Sequence, residues 1–336
     1  MKTVLVDIQE IKKYYDIRAG IFARERAPVK AVDGVSLRIY RGETLGLVGE
    51  SGCGKSTLAR LIMRLDVPTE GRIFFEAEDI FKLSGKDLKA YRKKVQIIFQ
   101  DPYASLNPRR TAGSTIGEPL LINDMNDRKG RAVEVARIMD IVGLTIEQKD
   151  RYPHEFSGGQ RQRIGIARAI ILKPQLIVAD EPVSALDVSI QAQILNLLRD
   201  LQKEFNLTYM FISHDLSVVR HVSDRIAVMH FGKIVELADN QELYEHPLHP
   251  YTIELLSAVP APDPGKKTGR LMQEGEITDG SNGLGRCPFY PRCPAKVEIC
   301  DTGEPRLKDR GGGHFVACHG EGKGAPPINY NHKSFR

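Results

Sequence analysis

Gly49-Glu50-Ser51-Gly52-Cys53-Gly54-Lys55-Ser56 fits the pattern G-x-x-x-x-G-K-[ST]. Before it stands Thr44-Leu45-Gly46-Leu47-Val48, short and apolar like a buried parallel strand. After it, Ser56-Thr57-Leu58-Ala59-Arg60-Leu61-Ile62-Met63 has the spacing of a helix with one apolar face. Glycines at 49, 52 and 54 let successive backbone N–H groups point into one hollow. The helix that follows adds the positive end of its dipole, so a polyphosphate is held favourably there. Lys55 can reach the terminal phosphates, and the Ser56 hydroxyl can join the shell of a magnesium ion. A glycine turn that only links strand to helix needs none of these accompaniments.

A phosphate loop leaves the choice open among kinases, GTPases, helicases and transport ATPases. A second stretch narrows it: Phe156-Ser157-Gly158-Gly159-Gln160-Arg161-Gln162-Arg163. Alone it reads as an ordinary helix start with Ser157 as N-cap. One helix length later comes Leu176-Ile177-Val178-Ala179-Asp180-Glu181, a buried strand ending in two carboxylates.

In this order the chain resembles the nucleotide-binding subunits of ABC transporters. Gln100 looks like the Q-loop glutamine, and Phe156–Gln160 like the signature, with Phe where Leu is common. Asp180 and Glu181 look like the Walker B pair, Ser184-Ala185-Leu186-Asp187 like the D-loop, and His214 like the switch histidine. The resemblance implies an α/β P-loop ATPase core with an antiparallel β subdomain and a helical subdomain. It also implies ATP and Mg2+ as ligands. Gly49, Ser51, Gly52, Cys53, Gly54, Lys55, Ser56 and Thr57 would surround the phosphates. Ser56, Gln100 and Asp180 would serve the magnesium, Glu181 would polarise the attacking water, and His214 would secure the γ-phosphate. A facing subunit would supply Ser157, Gly158, Gly159 and Gln160, with Asp187 beside them, so each half-site is incomplete. Cys53 is read as a small filler whose backbone N–H matters.

Composition agrees with a globular protein: 336 residues, 41% hydrophobic, 27% charged, net charge +5 without a long basic block. That charge pattern leaves no nucleic-acid footprint. No stretch approaches the roughly 18 consecutive apolar residues of a membrane span, and the N-terminal apolar segment is too short for a signal peptide. The expected location is the cytoplasmic face of the membrane, with the spanning part on other chains.

Along the chain, Val4-Leu5-Val6 and Val35–Tyr40 read as strands of an antiparallel edge, separated by an irregular insertion at Ile17–Lys30. Tyr14-Tyr15 precedes that insertion. The family carries an adenine-stacking aromatic here, and spacing favours Tyr15. Arg72–Phe75 and Val95–Phe99 are expected as further strands of the nucleotide core, the latter delivering Gln100. Residues 101–166 lose β character and look like the helical subdomain. Gln191–Leu201 is an amphipathic helix with Ile194, Leu197, Leu198, Leu201 and Phe205 on one face, and Thr208–Ile212 a buried strand. Residues 1–240 are therefore assigned to the nucleotide-binding domain and 241–336 to a C-terminal extension.

Phe99-Gln100-Asp101-Pro102-Tyr103-Ala104-Ser105-Leu106-Asn107-Pro108-Arg109 and His249-Pro250-Tyr251 resemble the ATP-binding subunits of dipeptide and oligopeptide uptake systems. Partners implied are two membrane permease subunits, a second ATP-binding subunit (sister chain or second copy) and, indirectly, an extracytoplasmic peptide-binding protein. In the extension, Cys287, Cys293, Cys300 and Cys318 stand beside prolines and glycines. Disulfides do not suit a reducing cytosol. Zinc sites favour closely spaced cysteine pairs, and none exists here, whereas looser spacings allow an iron–sulfur cluster to be held by four thiolates. Extensions of this kind in the resembled branch carry a [4Fe–4S] cluster, with zinc as the alternative. The tail is read as a structural module, so that Cys300→Ser loosens it while nucleotide binding survives. The rival reading is an ABC-type ATPase of DNA repair or another non-transport process. Such heads carry long coiled coils or C-x-x-C modules between phosphate loop and signature, and no heptads appear in that interval here.

Overall fold

The structure, a computed structural model, describes residues 2–16, 28–125, 127–258 and 286–320. The expected insertion lies almost wholly outside these residues, as does 259–285 of the C-terminal extension. In chain order the elements are β1 (Val4–Tyr15), β2 (Val29–Tyr40), β3 (Thr44–Val48), α1 (Lys55–Ile62), β4 (Glu70–Phe75), β5 (Glu78–Asp79), α2 (Gly85–Lys94) and β6 (Val95–Ile98). Helices α3 (Ala112–Ile122), α4 (Arg128–Ile141) and α5 (Gly158–Ile170) follow, with only short 3-10 turns between them. Then come β7 (Leu176–Asp180), α6 (Val188–Phe205), β8 (Thr208–Ser213), α7 (Leu216–Val222), β9 (Arg225–His230) and β10 (Lys233–Asp239). The C-terminal part adds α8 (Asn240–Glu245), α9 (Pro250–Ser257), α10 (Ile299–Thr302), β11 (Lys308–Asp309) and β12 (Phe315–Val316).

Two sheets form. One is antiparallel, in the order β2-β1-β4-β5; the other runs β11-β12-β10-β9-β3-β8-β7-β6. In the second, β9, β3, β8, β7 and β6 are parallel neighbours, while β10, β12 and β11 extend the edge antiparallel. The five parallel strands are apolar on both faces, as a sheet covered on both sides requires. Alternation still sorts the side chains: on β8, Met210 and Ile212 join Leu45, Leu47, Leu58 and Leu61 on the face toward α1 and the antiparallel sheet. Tyr209 and Phe211 join Ile177 and Ala179 on the other face, beneath α5, α6 and α7. Each of the leucines, isoleucines, Met210 and Phe211 buried here contributes about 1.5–3 kcal/mol.

Two expectations need correction. Arg72–Phe75 belongs to the antiparallel sheet, pairing with β1 through Val6↔Phe75 and Ile8↔Ile73, and not to the nucleotide core. A short apolar strand looks the same in either sheet, so spacing alone could not assign it. Strand β1 also continues to Tyr15, because a register shift between Ile8 and Ile11, with Glu10 at φ 46, absorbs the break in alternation.

The cysteine-bearing segment is part of the main body. Strand β12 pairs with β10 (Glu236↔Val316, Leu237↔Phe315), and Cys287, Phe289 and Cys300 share a core with Tyr251, Tyr244 and the helices on that face. Glu236, fully buried, accepts from the N–H groups of Leu248 (2.7 Å) and His249 (3.0 Å) and pairs with His314 Nε2 at 2.7 Å. Burial by itself would lower the His314 pKa, but the carboxylates of Glu236 and then Glu242 outweigh it and hold the imidazole above the usual histidine range.

Candidate nucleotide site

Strand β3 lies between β8 and β9 and stops at Val48, opposite Ser213 and Val228. The turn that follows is wedged into place. A Cβ on Gly49 would stand 2.1 Å from the carbonyl oxygen of Met229, and one on Gly54 (φ +110) would stand 2.1 Å from that of Ala31. Nothing but hydrogen fits either position. Gly232 N–H donates to the Cys53 carbonyl at 2.8 Å, fixing the turn from the side of the β9–β10 hairpin. Cys53 is buried, and burial raises its thiol pKa despite the nearby Lys55, so it is no activated nucleophile. Ser51, Gly52 and Ser56 remain exposed at the mouth. Lys55 is only 5% exposed; its ammonium donates to the carbonyls of Gly49 (2.7 Å) and Glu50 (2.8 Å).

The parallel register brings the remaining groups to the same edge. Ala179 pairs with Ile98 and Phe211, and Asp180 with Ile212, so the residues just past β6, β7 and β8 leave the sheet together. This is the carboxyl end of the strands, where open α/β sheets bind ligands. Glu181 takes a left-handed conformation (φ 47), and its N–H donates to Ile212 O at 2.9 Å. Its Oε2 accepts from Gln100 Nε2 at 2.9 Å and stands 3.1 Å from His214 Nδ1. Ser56 Oγ is 3.3 Å from Asp180 Oδ1. Burial pushes the Asp180 pKa up; the Ser56 hydrogen bond pulls it back, and the Glu181 charge raises it again. A divalent cation suits this pair: two hard oxygen donors, one of them a carboxylate whose desolvation the cation would offset.

Tyr15 ends β1 half-exposed, its hydroxyl 2.8 Å from Asp66 Oδ2 and its ring 4.9 Å below Lys13 Nζ. The Thr57 side chain also reaches the Tyr15 hydroxyl, which sets the ring beside α1. The 157–160 turn is elsewhere. Ser157 caps α5, its Oγ accepting from Gln160 N–H at 3.3 Å while its own N–H donates to Gln160 Oε1 at 3.0 Å. A Cβ on Gly158 would press on Leu186 at 3.3 Å, and one on Gly159 would meet Ile190 Cγ2 at 2.5 Å. Both glycines therefore admit the 184–187 turn and the first turn of α6. Asp187 occupies the N-cap position of α6 and is exposed beside Val188, which is 82% exposed. Thus Lys55, Ser56, Gln100, Asp180, Glu181 and His214 converge on one edge, while 157–160 and Asp187 form a second group on the helical side.

Two contributors escape a reading of the sequence. Tyr251, fully buried, accepts at its hydroxyl from Glu50 N–H (2.9 Å). Arg292 lays its guanidinium on the Glu50 carboxylate at 3.0 and 3.2 Å and also pairs with Glu254. His-Pro-Tyr is visible in the sequence, but nothing in its spacing points back some 200 residues to the phosphate loop.

None of the five cysteines forms a disulfide. Among the described residues, no group of three or more His, Cys, Asp or Glu side chains is arranged to hold a metal ion. Burial first, and then the nearby Cys300, Cys293 and Cys318 thiols, push Cys287 up to about 12. Burial also raises Cys293, next to Cys318 and Cys300. Among the described residues no helix is long and apolar enough to cross a membrane.

Residues 32–184 match the family model for ABC transporters, and residues 235–300 match that for the C-terminal region of oligopeptide/dipeptide transporters. The oligopeptide transport ATP-binding protein AppF of Bacillus subtilis is 54% identical over 318 residues, covering 94% of this chain and 97% of that protein. The dipeptide transport ATP-binding protein DppF of Escherichia coli is 48% identical over 314 residues, covering 94% and 93%. Among solved structures, the dimeric ATP-binding cassette MJ0796 in a post-hydrolysis state with ADP and Pi superposes with a TM-score of 0.62. It is 29% identical and covers 70% of this chain and 99% of its own. These likenesses span the phosphate loop, the carboxylate pair and the C-terminal region alike, and the chain belongs to the ABC transporter family of ATPases.

Proposed function

We propose that this chain hydrolyses ATP to drive uptake of dipeptides or oligopeptides through a membrane permease. Two relatives at about half identity over nearly their whole length carry out oligopeptide and dipeptide transport by name, which favours transport over DNA repair. The observation that carries the mechanism is the division of the chemistry. Lys55, Asp180, Glu181, Gln100 and His214 gather at one sheet edge, and 157–160 lies on a different helix.

The loop N–H groups and Lys55 bind the phosphates, Lys55 exchanging carbonyl partners for phosphate oxygens. Ser56, Gln100 and Asp180 would hold magnesium, which when bound would neutralise charge on the phosphates. Glu181 accepts a proton from the attacking water, and His214 holds the γ-phosphate. Tyr15 offers its ring to the adenine, with Thr57 below it. Ser157, Gly158, Gly159 and Gln160 of one subunit face the nucleotide held by another, and Asp187 lies at the junction. ATP therefore closes a pair of subunits, and hydrolysis opens it. The pair is this chain with a sister subunit or a second copy, docked on two permease subunits at the cytoplasmic face and fed by an extracytoplasmic peptide-binding protein; nucleic acid plays no part.

Replacing Glu181 by Gln removes the proton acceptor and keeps the shape. Expected is a fall in turnover of roughly 10²–10⁴-fold with Mg-ATP binding retained and an ATP-dependent pair of subunits seen by light scattering. Turnover near that of the wild type removes Glu181 from this role. For the extension, we propose that Cys287, Cys293, Cys300 and Cys318 hold a [4Fe–4S] cluster as a structural staple, supported by the burial of Cys287 and Cys300 and by the electrostatic reach of the other thiols to Cys287. Brown protein with iron and sulfide after anaerobic purification is expected; colourless protein carrying zinc establishes the alternative.

A further inference from the structure

Glu50 is the first variable position of the phosphate loop, and it is held at three points. Its carbonyl accepts from Lys55 Nζ at 2.8 Å. Its N–H donates to Tyr251 Oη at 2.9 Å, and its carboxylate is gripped by Arg292 at 3.0 and 3.2 Å. The last two anchors come from the C-terminal region. Arg292 is only 16% exposed in its side chain and is shared with Glu254, so its geometry is set before any ligand arrives. The turn carrying Arg292 is bounded by cysteines: Cys287 N–H donates to Cys300 O at 3.0 Å, Arg292 N–H to Phe289 O at 3.1 Å, and Cys293 N–H to Tyr290 O at 3.3 Å. Phe289 packs against the Tyr251 ring with centroids 5.6 Å apart and lies 5.6 Å from the Arg292 guanidinium.

We propose that Arg292 and Tyr251 are positioning residues for nucleotide binding, and that through them the folded state of the 287–318 segment sets the affinity of the phosphate loop for Mg-ATP. Tyr251 fixes the direction of one loop amide. Arg292 neutralises a carboxylate that would otherwise face an incoming triphosphate of the same sign. A carboxylate in a loop built to bind anions is tolerable only while a cation covers it. The proposal rests on reading 49–56 as the nucleotide site, and it revises the expectation that the tail could loosen without consequence for binding.

The test is equilibrium binding of Mg-ATP to the purified full chain. Arg292→Gln is expected to raise Kd about tenfold, ~1.4 kcal/mol, and Tyr251→Phe to raise it by a comparable factor. Arg292→Lys, which keeps the charge, should recover most of the loss. Glu50→Gln in the Arg292→Gln background should bring Kd back toward the wild type, which a merely structural strap would not do. Cys300→Ser should weaken binding as Arg292→Gln does, with no further loss when both are combined. A Kd within about twofold of wild type for Arg292→Gln, no recovery with Glu50→Gln, or unchanged binding in Cys300→Ser overturns the proposal. Lys55→Ala separates the two readings: if it binds Mg-ATP as the wild type does, the loop assignment itself has failed.

Discussion

Acid should loosen the C-terminal region from the phosphate loop, because two histidines beside Tyr251 are buried neutral. His249 is 1% exposed, and its Nδ1 accepts from Tyr251 N–H at 3.1 Å, a bond that protonation at that nitrogen destroys. Burial lowers its pKa to about 4, against a partial opposing pull from Glu236. His230, 2% exposed and 4.1 Å from the Tyr251 ring, is lowered to about 3 by burial, with His249 and Arg292 adding to the shift. The sign follows from linkage: both folded pKa values lie below the unfolded value near 6.5, so the unfolded chain binds more protons. Their contribution to stability is whole above about pH 6.5 and is lost as pH falls toward about 4. At about pH 5 each has given up about 2 kcal/mol, together a large part of the roughly 5–15 kcal/mol of a typical domain. His314 works oppositely: its raised pKa gives stability present below about 6.5 and lost as pH rises through the folded value. Urea unfolding measured at steps from about pH 7.5 to about 4.5 reads the sum. In His249→Asn, the amide oxygen can still cap Tyr251 N–H but does not titrate. This variant should lose about 2 kcal/mol less than wild type between about pH 7 and 5. Identical pH slopes for the two proteins refute the assignment.

Other perturbations follow from close approaches and buried charge. Gly159→Ala drives a Cβ to 2.5 Å from Ile190 Cγ2, so a loss of about 1–3 kcal/mol in chemical denaturation is expected. ATPase activity should fall with it, because α6 and the 184–187 turn must shift. Glu236→Gln removes the charge that pairs with His314 and weakens acceptance from Leu248 and His249 N–H. A loss of about 3–5 kcal/mol is expected, with limited proteolysis releasing the region after residue 240 first.

The convergence of the candidate nucleotide residues was legible because each is announced locally. Lys55 and Ser56 follow a glycine turn; Asp180 and Glu181, and then His214, follow buried strands whose apolar runs are unbroken. Once those strands are parallel and in register, their ends must share an edge. Legibility stops where the partner is far along the chain. Nothing local distinguishes β4, which pairs with β1, from a strand of the core sheet. The tail posed the same difficulty more sharply. Its cysteines suggested a module stapled apart from the rest, but Phe289 closes against His230, His249 and Tyr251 at centroid distances of 5.5, 5.8 and 5.6 Å. That cluster draws on three separate stretches of chain, none of which reveals the others. Arg292, between Pro291 and Cys293, resembles any surface arginine until Glu50 is seen beneath it.

On the proposed function, the anchoring of the site separates groups that bind from groups that switch. The phosphate loop is held mainly through its backbone: Gly49 against Met229, Gly54 against Ala31, Cys53 O by Gly232 N–H, and Glu50 N–H by Tyr251. None of these contacts can change without moving a strand or the C-terminal helix α9. Glu181, by contrast, is held by two side chains, Gln100 and His214, the latter 56% exposed. A neutral amide and an exposed imidazole can trade a carboxylate for another acceptor at little electrostatic cost. Changes at the anchors should therefore appear in the Kd for Mg-ATP with turnover at saturation preserved. Changes at Gln100 and His214 should appear in turnover with Kd preserved. Were Tyr251→Phe to slow saturated turnover while leaving Kd untouched, the division would be wrong, and the loop itself would have to be counted among the moving parts.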